Sequence, residues 1–285
     1  MSIAIIGATG QLGGHAVDAL LERGTPANDI LALGRNQDRL AQLAGKGLRT
    51  AVVDLDDKEA TAASLDGADA LVLISVGGMS GGLAPRANAV EAAQVAGVGR
   101  LVYTSVLQAP TTRLVIAPDH KATEEIISAS GIPATILRNG WYTENQHPDF
   151  DSARQRGVIA NSIGEGRIAS APRREYGEAI AEVLTTPGHE GQAYELSGDT
   201  AWSFTEFAEV AHDVLGSPVR YEILTAEQEH QQLVAASGLD GATADLFTRA
   251  YADMRSGALS LTNGDLAKLI GHATEPLSDT LRNWR

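Results

Sequence analysis

The chain has no cysteine, so disulfides, thiolate metal sites, iron–sulfur clusters and cysteine nucleophiles are excluded together, and a reducing cytoplasm is the compatible setting. No apolar run approaches the roughly 20 residues that span a bilayer. Met1 to Ile6 is too short, and lacks the basic flank, to be a signal peptide. Positive charge is scarce: 22 Lys and Arg stand against 36 Asp and Glu, and the net charge of -14 repels phosphate backbones and anionic head groups. Nucleic acid and membrane surfaces are therefore poor partners, whereas nothing opposes a homo-oligomer. What remains is an ordinary globular composition, 44% hydrophobic and 20% charged, over 285 residues, enough for one large domain with a smaller appendage.

Short apolar runs at Ser2 to Ile6, Ile30 to Leu33, Thr50 to Val53, Ala70 to Ser75, Leu101 to Ser105 and Ala134 to Leu137 predict strands. Between them, helical patterns run near 37–45, 57–65, 84–96 and 119–130. Strands buried on both faces and joined by amphipathic helices predict an α/β fold with a doubly wound parallel sheet. Past Arg138 the alternation fails. Ala171 to Thr185 reads as a helix returning to the sheet, Ala193 to Leu196 as a further strand, and Ser203 with Glu206 as a capping box. From Ala226 onward the chain reads as mostly helical. The expected division is 1–138 plus about 171–186 for a dinucleotide domain, with about 139–170 and 187–285 as a discontinuous region capping the substrate.

Between the first strand and first helix lies Gly7-Ala8-Thr9-Gly10-Gln11-Leu12-Gly13, a G-x-x-G-x-x-G turn. There the backbone can approach a pyrophosphate seated on the helix N-terminus. The residue ending the second strand decides the dinucleotide, since an acid accepts from a ribose 2′-hydroxyl and an arginine pairs with a 2′-phosphate. This chain has Arg35, and the nearest acid, Asp38, falls on the next helix; NADP(H) is expected over NAD(H). By position, Asp54 and Leu55 would flank the adenine, and Ser75, Val76 and Gly77 the ribose and pyrophosphate.

A Tyr-x-x-x-Lys pair, common among carbonyl reductases of this fold type, is missing. The six tyrosines, Tyr103, Tyr142, Tyr176, Tyr194, Tyr221 and Tyr251, are followed at the fourth place by Leu107, Gln146, Ile180, Gly198, Thr225 and Arg255. Where that pair would fall stand His120 and Glu124, four apart on one helix face. A histidine titrating near neutrality suits proton donation, so His120 is the candidate acid and Glu124 a structural partner. Gly78 to Gly82 matches G-x-S-x-G only formally, in a flexible glycine run rather than a sharp strand-to-helix turn, and reads as a loop over the cofactor phosphates. His120, His147, Asp119, Glu144 and Asp149 form no compact ligand pattern, so no metal is expected. After the sixth strand, Arg138, Asn139, Gly140, Trp141, Tyr142 and Thr143 lie at the sheet's carboxyl edge, beside the cofactor. There Trp141 and Tyr142 offer flat faces to a planar substrate, and Asn139 and Asn145 offer hydrogen bonds to a carboxamide or carbonyl.

At these residues the sequence resembles the NmrA-like atypical short-chain dehydrogenases, and among them the flavin-free, type 2 NAD(P)H:quinone oxidoreductases, with triphenylmethane dye reductases nearly as similar. The likeness is carried by Gly7 to Gly13, Arg35-Asn36, Tyr103-Thr104-Ser105, His120 with Glu124, Leu137 to Tyr142, Gly188-His189-Glu190-Gly191 and Lys268 to His272. It implies a Rossmann domain holding NADPH, a small C-terminal region closing over the nicotinamide, and a cofactor contact from Ser170. It also implies hydride transfer to a quinone lying against Trp141, Tyr142 and Tyr103, with His120, Tyr142 or water near the oxygen that gains a proton. Two other outcomes stay open: reduction of a triphenylmethane dye or another planar acceptor, and a redox sensor that binds NADP without chemistry.

Overall fold

The computed structural model describes residues 1–75, 82–237 and 240–285. Strands and helices first alternate: β1 (Ile3–Ile6), α1 (Gln11–Glu22), β2 (Ile30–Gly34), α2 (Gln37–Gly45), β3 (Arg49–Val52), α3 (Lys58–Ser64), β4 (Ala70–Leu73), α4 (Leu83–Val95), β5 (Arg100–Val106), α5 (Ala117–Ser130) and β6 (Ala134–Asn139). Then follow α6 (His147–Arg156), β7 (Val158–Asn161), β8 (Arg167–Ile168), α7 (Arg173–Thr185), β9 (Ala193–Leu196), β10 (Trp202–Ser203), α8 (Phe204–Leu215) and β11 (Arg220–Ile223). Four helices end the chain: α9 (Ala226–Ser237), α10 (Gly241–Arg255), α11 (Asp265–Ile270) and α12 (Leu277–Asn283).

The main sheet has the order β3-β2-β1-β4-β5-β6-β9, and every neighbouring pair is parallel. Its two faces are read from the strand period of two. Ile3, Ile5, Ile30, Ala32, Ala70 and Val72 pack with α1, α2 and α7, whereas Ala4, Ile6, Leu31, Leu33, Leu71 and Leu73 pack with α4 and α5 on the other side. This is the doubly wound sheet expected from continuous apolar runs. β3 lies at one edge, where only one side is paired, and is more polar, with Val52 57% exposed. Strand order reverses between β1 and β4, and such a switch opens a crevice at the carboxyl ends of the strands.

A third apolar cluster forms the cap, from Phe150, Ile159, Ile168, Trp202, Phe204, Phe207, Met254 and Leu281 among others. Ser203 caps α8 with the reciprocal Glu206 bond read from the sequence. The cap also holds two small sheets, parallel β7–β11 and antiparallel β8–β10, where no strand was expected. The expected boundary at 187 needs correction. β9 pairs with β6 in the main sheet, and Leu266 and Ile270 of α11 join the cluster beneath it, so these later segments pack with the dinucleotide domain rather than the cap. No described helix is long and apolar enough to cross a membrane.

Candidate active site

The crevice begins at the glycine turn. Gly7 takes a left-handed φ of +93°, and a Cβ on Gly13 would stand 2.2 Å from the Gly7 carbonyl oxygen, so the strand and helix can meet this closely only without those side chains. Gly10 starts α1 with no side-chain cap and no acid in the first turn, and the first N–H to find a helical acceptor is that of Gly14, on the Gly10 carbonyl. The N–H groups of Gln11, Leu12 and Gly13 are thus left for an anion. Ala8 and Leu12 have buried side chains, so what they present at the turn is backbone.

From this turn a groove of about 580 Å³ runs along the strand ends, lined by Gly7, Thr9, Gly10, Arg35, Asp54, Leu55 and Ser75. Ile6, Gly34, Asn36, Val53, Asp56, Ile74 and Pro85 complete it, and of these only Asn36 was singled out beforehand, as part of the Arg35-Asn36 likeness. Arg35 is exposed and has no ion-pair partner among the described residues. Asp38 lies on α2, as expected. Hydrogen bonds fix the floor: Asp56 N–H to Asp54 at 3.1 Å, Asn88 Nδ2 to the Leu55 carbonyl at 2.8 Å, and Ser75 N–H to the Thr104 hydroxyl at 2.9 Å. Val76, Gly77 and the Gly78 to Gly82 motif, Gly82 excepted, lie outside the described residues.

Several expected contacts are corrected. Tyr103 is fully buried under the sheet and reaches His120 Nδ1 at 2.9 Å, so no substrate touches its ring. Burial pushes its hydroxyl up to about 12. His120 is not at the surface but 6% exposed, with Nε2 facing Arg86 Nη1 at 3.4 Å. The guanidinium can only donate, so Nε2 accepts and the ring proton sits on Nδ1, toward Tyr103. Burial, then the Arg86 charge, brings its pKa down to about 3; this imidazole stays neutral and does not supply a proton near neutrality. Arg138 does not face the cofactor through its guanidinium. It binds Glu124 at 2.7 and 3.1 Å and Glu195 at 2.9 Å, and Glu124 also accepts from Ser105. The Ser170 hydroxyl oxygen is buried and accepts from the Thr143 hydroxyl and the Trp202 indole, both at 2.9 Å, and Ser170 and Thr143 line a second cavity of about 320 Å³ apart from the groove at Gly7. Gly140 packs its backbone on Leu196, its N–H bonding the Leu196 carbonyl at 2.7 Å.

What β6 does deliver is the aromatic pair. Tyr142 packs on the sheet cluster and Trp141 on the cap cluster, so adjacent residues bridge the two layers. The Trp141 indole N–H binds Gln146. Asn139, 4% exposed, donates from Nδ2 to the Tyr142 oxygen at 3.1 Å, while its Oδ1 is buried with no partner among the described residues. In this orientation the amide oxygen goes unmet, a demand that a carboxamide N–H at this edge would satisfy, and the amide nitrogen is the end turned to Tyr142. Tyr142 accepts from Asn139 and finds no acceptor for its own proton among the described residues. Burial raises its pKa, and the Asn139 bond and the Arg173 charge pull it back. Asn145 lies close by, but its Oδ1 is already bound by Arg173 at 2.6 Å, leaving only its Nδ2 for a ligand. Sequence reading missed Arg86 and Arg173: the first is an unmarked residue of an alanine-rich helix, and the second stands in a charged Arg-Arg-Glu run that reads as solvated.

Residues 7–187 match the family described as NAD(P)H-binding. Quinone oxidoreductase 2 of Escherichia coli is 37% identical over 98% of this chain and 97% of that protein. The Escherichia coli NADPH-dependent quinone oxidoreductase solved with NADPH, also 37% identical, superimposes with a TM-score of 0.94 over 99% of each chain. Triphenylmethane reductase of a Citrobacter species, solved with NADP(H), is 33% identical with a TM-score of 0.92 over 100% of each chain. The phosphate-ready turn, the doubly wound sheet and these likenesses converge: the chain belongs to the NAD(P)H-binding family.

Proposed function

We propose that this protein is a flavin-free NADPH-dependent oxidoreductase that reduces a quinone. When bound, NADPH supplies a hydride to the acceptor. The observation that carries the reading is the half-satisfied Asn139 amide beside Tyr142, at the carboxyl end of β6, on the same sheet edge as the groove that starts on Gly7. The bare N–H groups of Gln11 to Gly13 hold the pyrophosphate, and Arg35 pairs with the 2′-phosphate. Asn139 orients the carboxamide, so the nicotinamide lies against the aromatic pair. Trp141 and Tyr142 stack the planar acceptor and exclude water, with Asn145 Nδ2 free to bind a carbonyl. Tyr142 Oη, whose proton has no other acceptor among the described residues, replaces His120 as the donor to the reduced oxygen. A quinone is electrophilic enough that placing donor and acceptor about 3.5 Å apart accounts for most of the rate.

The relatives support an acceptor of this shape, since one is named for quinones and another for triphenylmethane dyes. Anaerobic mixing with NADPH and a panel of both classes, followed at 340 nm, tests the reading. Turnover with quinones supports it, and turnover with dyes alone moves the substrate to the second class. Tight NADPH binding with no turnover on any acceptor replaces it with a sensor.

A further inference from the structure

Arg173 opens α7 and is held in place from three directions. Its backbone N–H donates to the Glu144 carboxylate at 2.9 and 3.1 Å, its Nη2 donates to Asn145 Oδ1 at 2.6 Å, and its Nη1 lies 3.5 Å from Glu144. With the side chain only 15% exposed, the guanidinium carbon stands 4.7 Å from the centroid of the Tyr142 ring. Tyr176, also on α7, meets that ring edge-on at 5.0 Å and 82°. Such anchoring is more than a surface arginine needs, and it places a permanent cation on a phenol that has a hydrogen-bond donor, Asn139, at its oxygen.

We propose that Arg173 is the positioning residue for proton delivery by Tyr142: its guanidinium fixes the ring and stabilises the phenolate left when the proton departs. The inference rests on the reading of Tyr142 given above. One hydride from NADPH, carrying both electrons, reduces the quinone, the Tyr142 O–H bond breaks, a new O–H bond forms on the quinone oxygen, and the phenolate recovers a proton from water. The products are NADP⁺ and the hydroquinone. The groups facing Tyr142 are Asn139 on β6, Glu144 in the turn before α6, and Arg173 and Tyr176 on α7. Only Glu144 carries a charge that opposes the phenolate, and the Arg173 charge outweighs it.

The test compares Arg173→Gln, which keeps a hydrogen-bond donor for Asn145 without the charge, with Arg173→Lys, which keeps the charge. Quinone turnover is measured against pH, with NADPH affinity and melting temperature as controls. In Arg173→Gln, kcat falls on the order of tenfold and the alkaline limb of its pH profile moves up by about one unit. Arg173→Lys restores most of both, and NADPH affinity is unchanged in either. In a Tyr142→Phe background Arg173→Gln costs nothing more. Equal losses in Gln and Lys with unmoved limbs, or a loss confined to NADPH affinity, overturn the proposal. Full activity in Tyr142→Phe overturns the underlying reading of Tyr142 instead, and so separates the two failures.

Discussion

Arg35 stands alone at the groove while His120 is bound on both sides, and the two show what a residue's type does and does not disclose. What was legible of Arg35 is its place after β2, at the groove; its pairing with a 2′-phosphate is the proposal drawn from that place and its charge. For Arg35→Ala, NADPH affinity falls about 10- to 100-fold and NADH affinity changes by less than about twofold, as titration of intrinsic fluorescence would record. His120 was misread because a polar helix start on paper turns its histidine inward, onto Tyr103 and Arg86. His120→Ala should therefore destabilise by roughly 2–4 kcal/mol, through a cavity and two stranded polar groups, while the pH limbs of turnover stay in place. A lost acid limb in that variant would return the histidine to the chemistry. The same blindness hid Arg173 and took Arg138 for a cofactor ligand, since sequence cannot say which carboxylates meet which guanidinium.

Among elements, the parallel strands were readable because burial on both faces leaves an apolar run with few alternatives, and the capping box because it is local. The two-residue strands β8 and β10 and the polar β11 carry no period to read; they exist because the cap cluster pins them. The glycine turn is the most sharply constrained junction. Gly13→Ala sets a Cβ 2.2 Å from the Gly7 oxygen and 2.7 Å from the Ala8 Cα. Forcing β1 and α1 apart there costs about 1–3 kcal/mol of stability and at least about tenfold in NADPH affinity, measurable by melting and titration on the same sample.

Across the whole molecule, buried carboxylates tie late segments to early ones and make stability depend on pH. Glu175 on α7 is fully buried, accepts the Glu275 N–H at 2.7 Å, and is raised to about 7 by burial. Asp149 in the cap, which accepts from Gln146 Nε2 at 3.1 Å, is likewise raised to about 7, by burial first and then by the Glu229 charge. In both, the folded state binds the proton more tightly than the unfolded one. Their contribution is therefore complete below the ordinary carboxylate range and is lost as pH rises toward about 7. For Glu175 that loss is about 3 kcal/mol between its reference value of 4.5 and about 7, so the melting temperature should fall across this window and Glu175→Gln should flatten the fall. The central claim remains that NADPH in this groove gives its hydride straight to a planar acceptor. The most direct measurement is anaerobic single-turnover oxidation of NADPH deuterated at C4, with a quinone and no added flavin. One NADPH consumed per quinone, slowed by a primary isotope effect for one C4 epimer only, is the result predicted. Binding without oxidation, or oxidation that proceeds only when flavin is added, would contradict it.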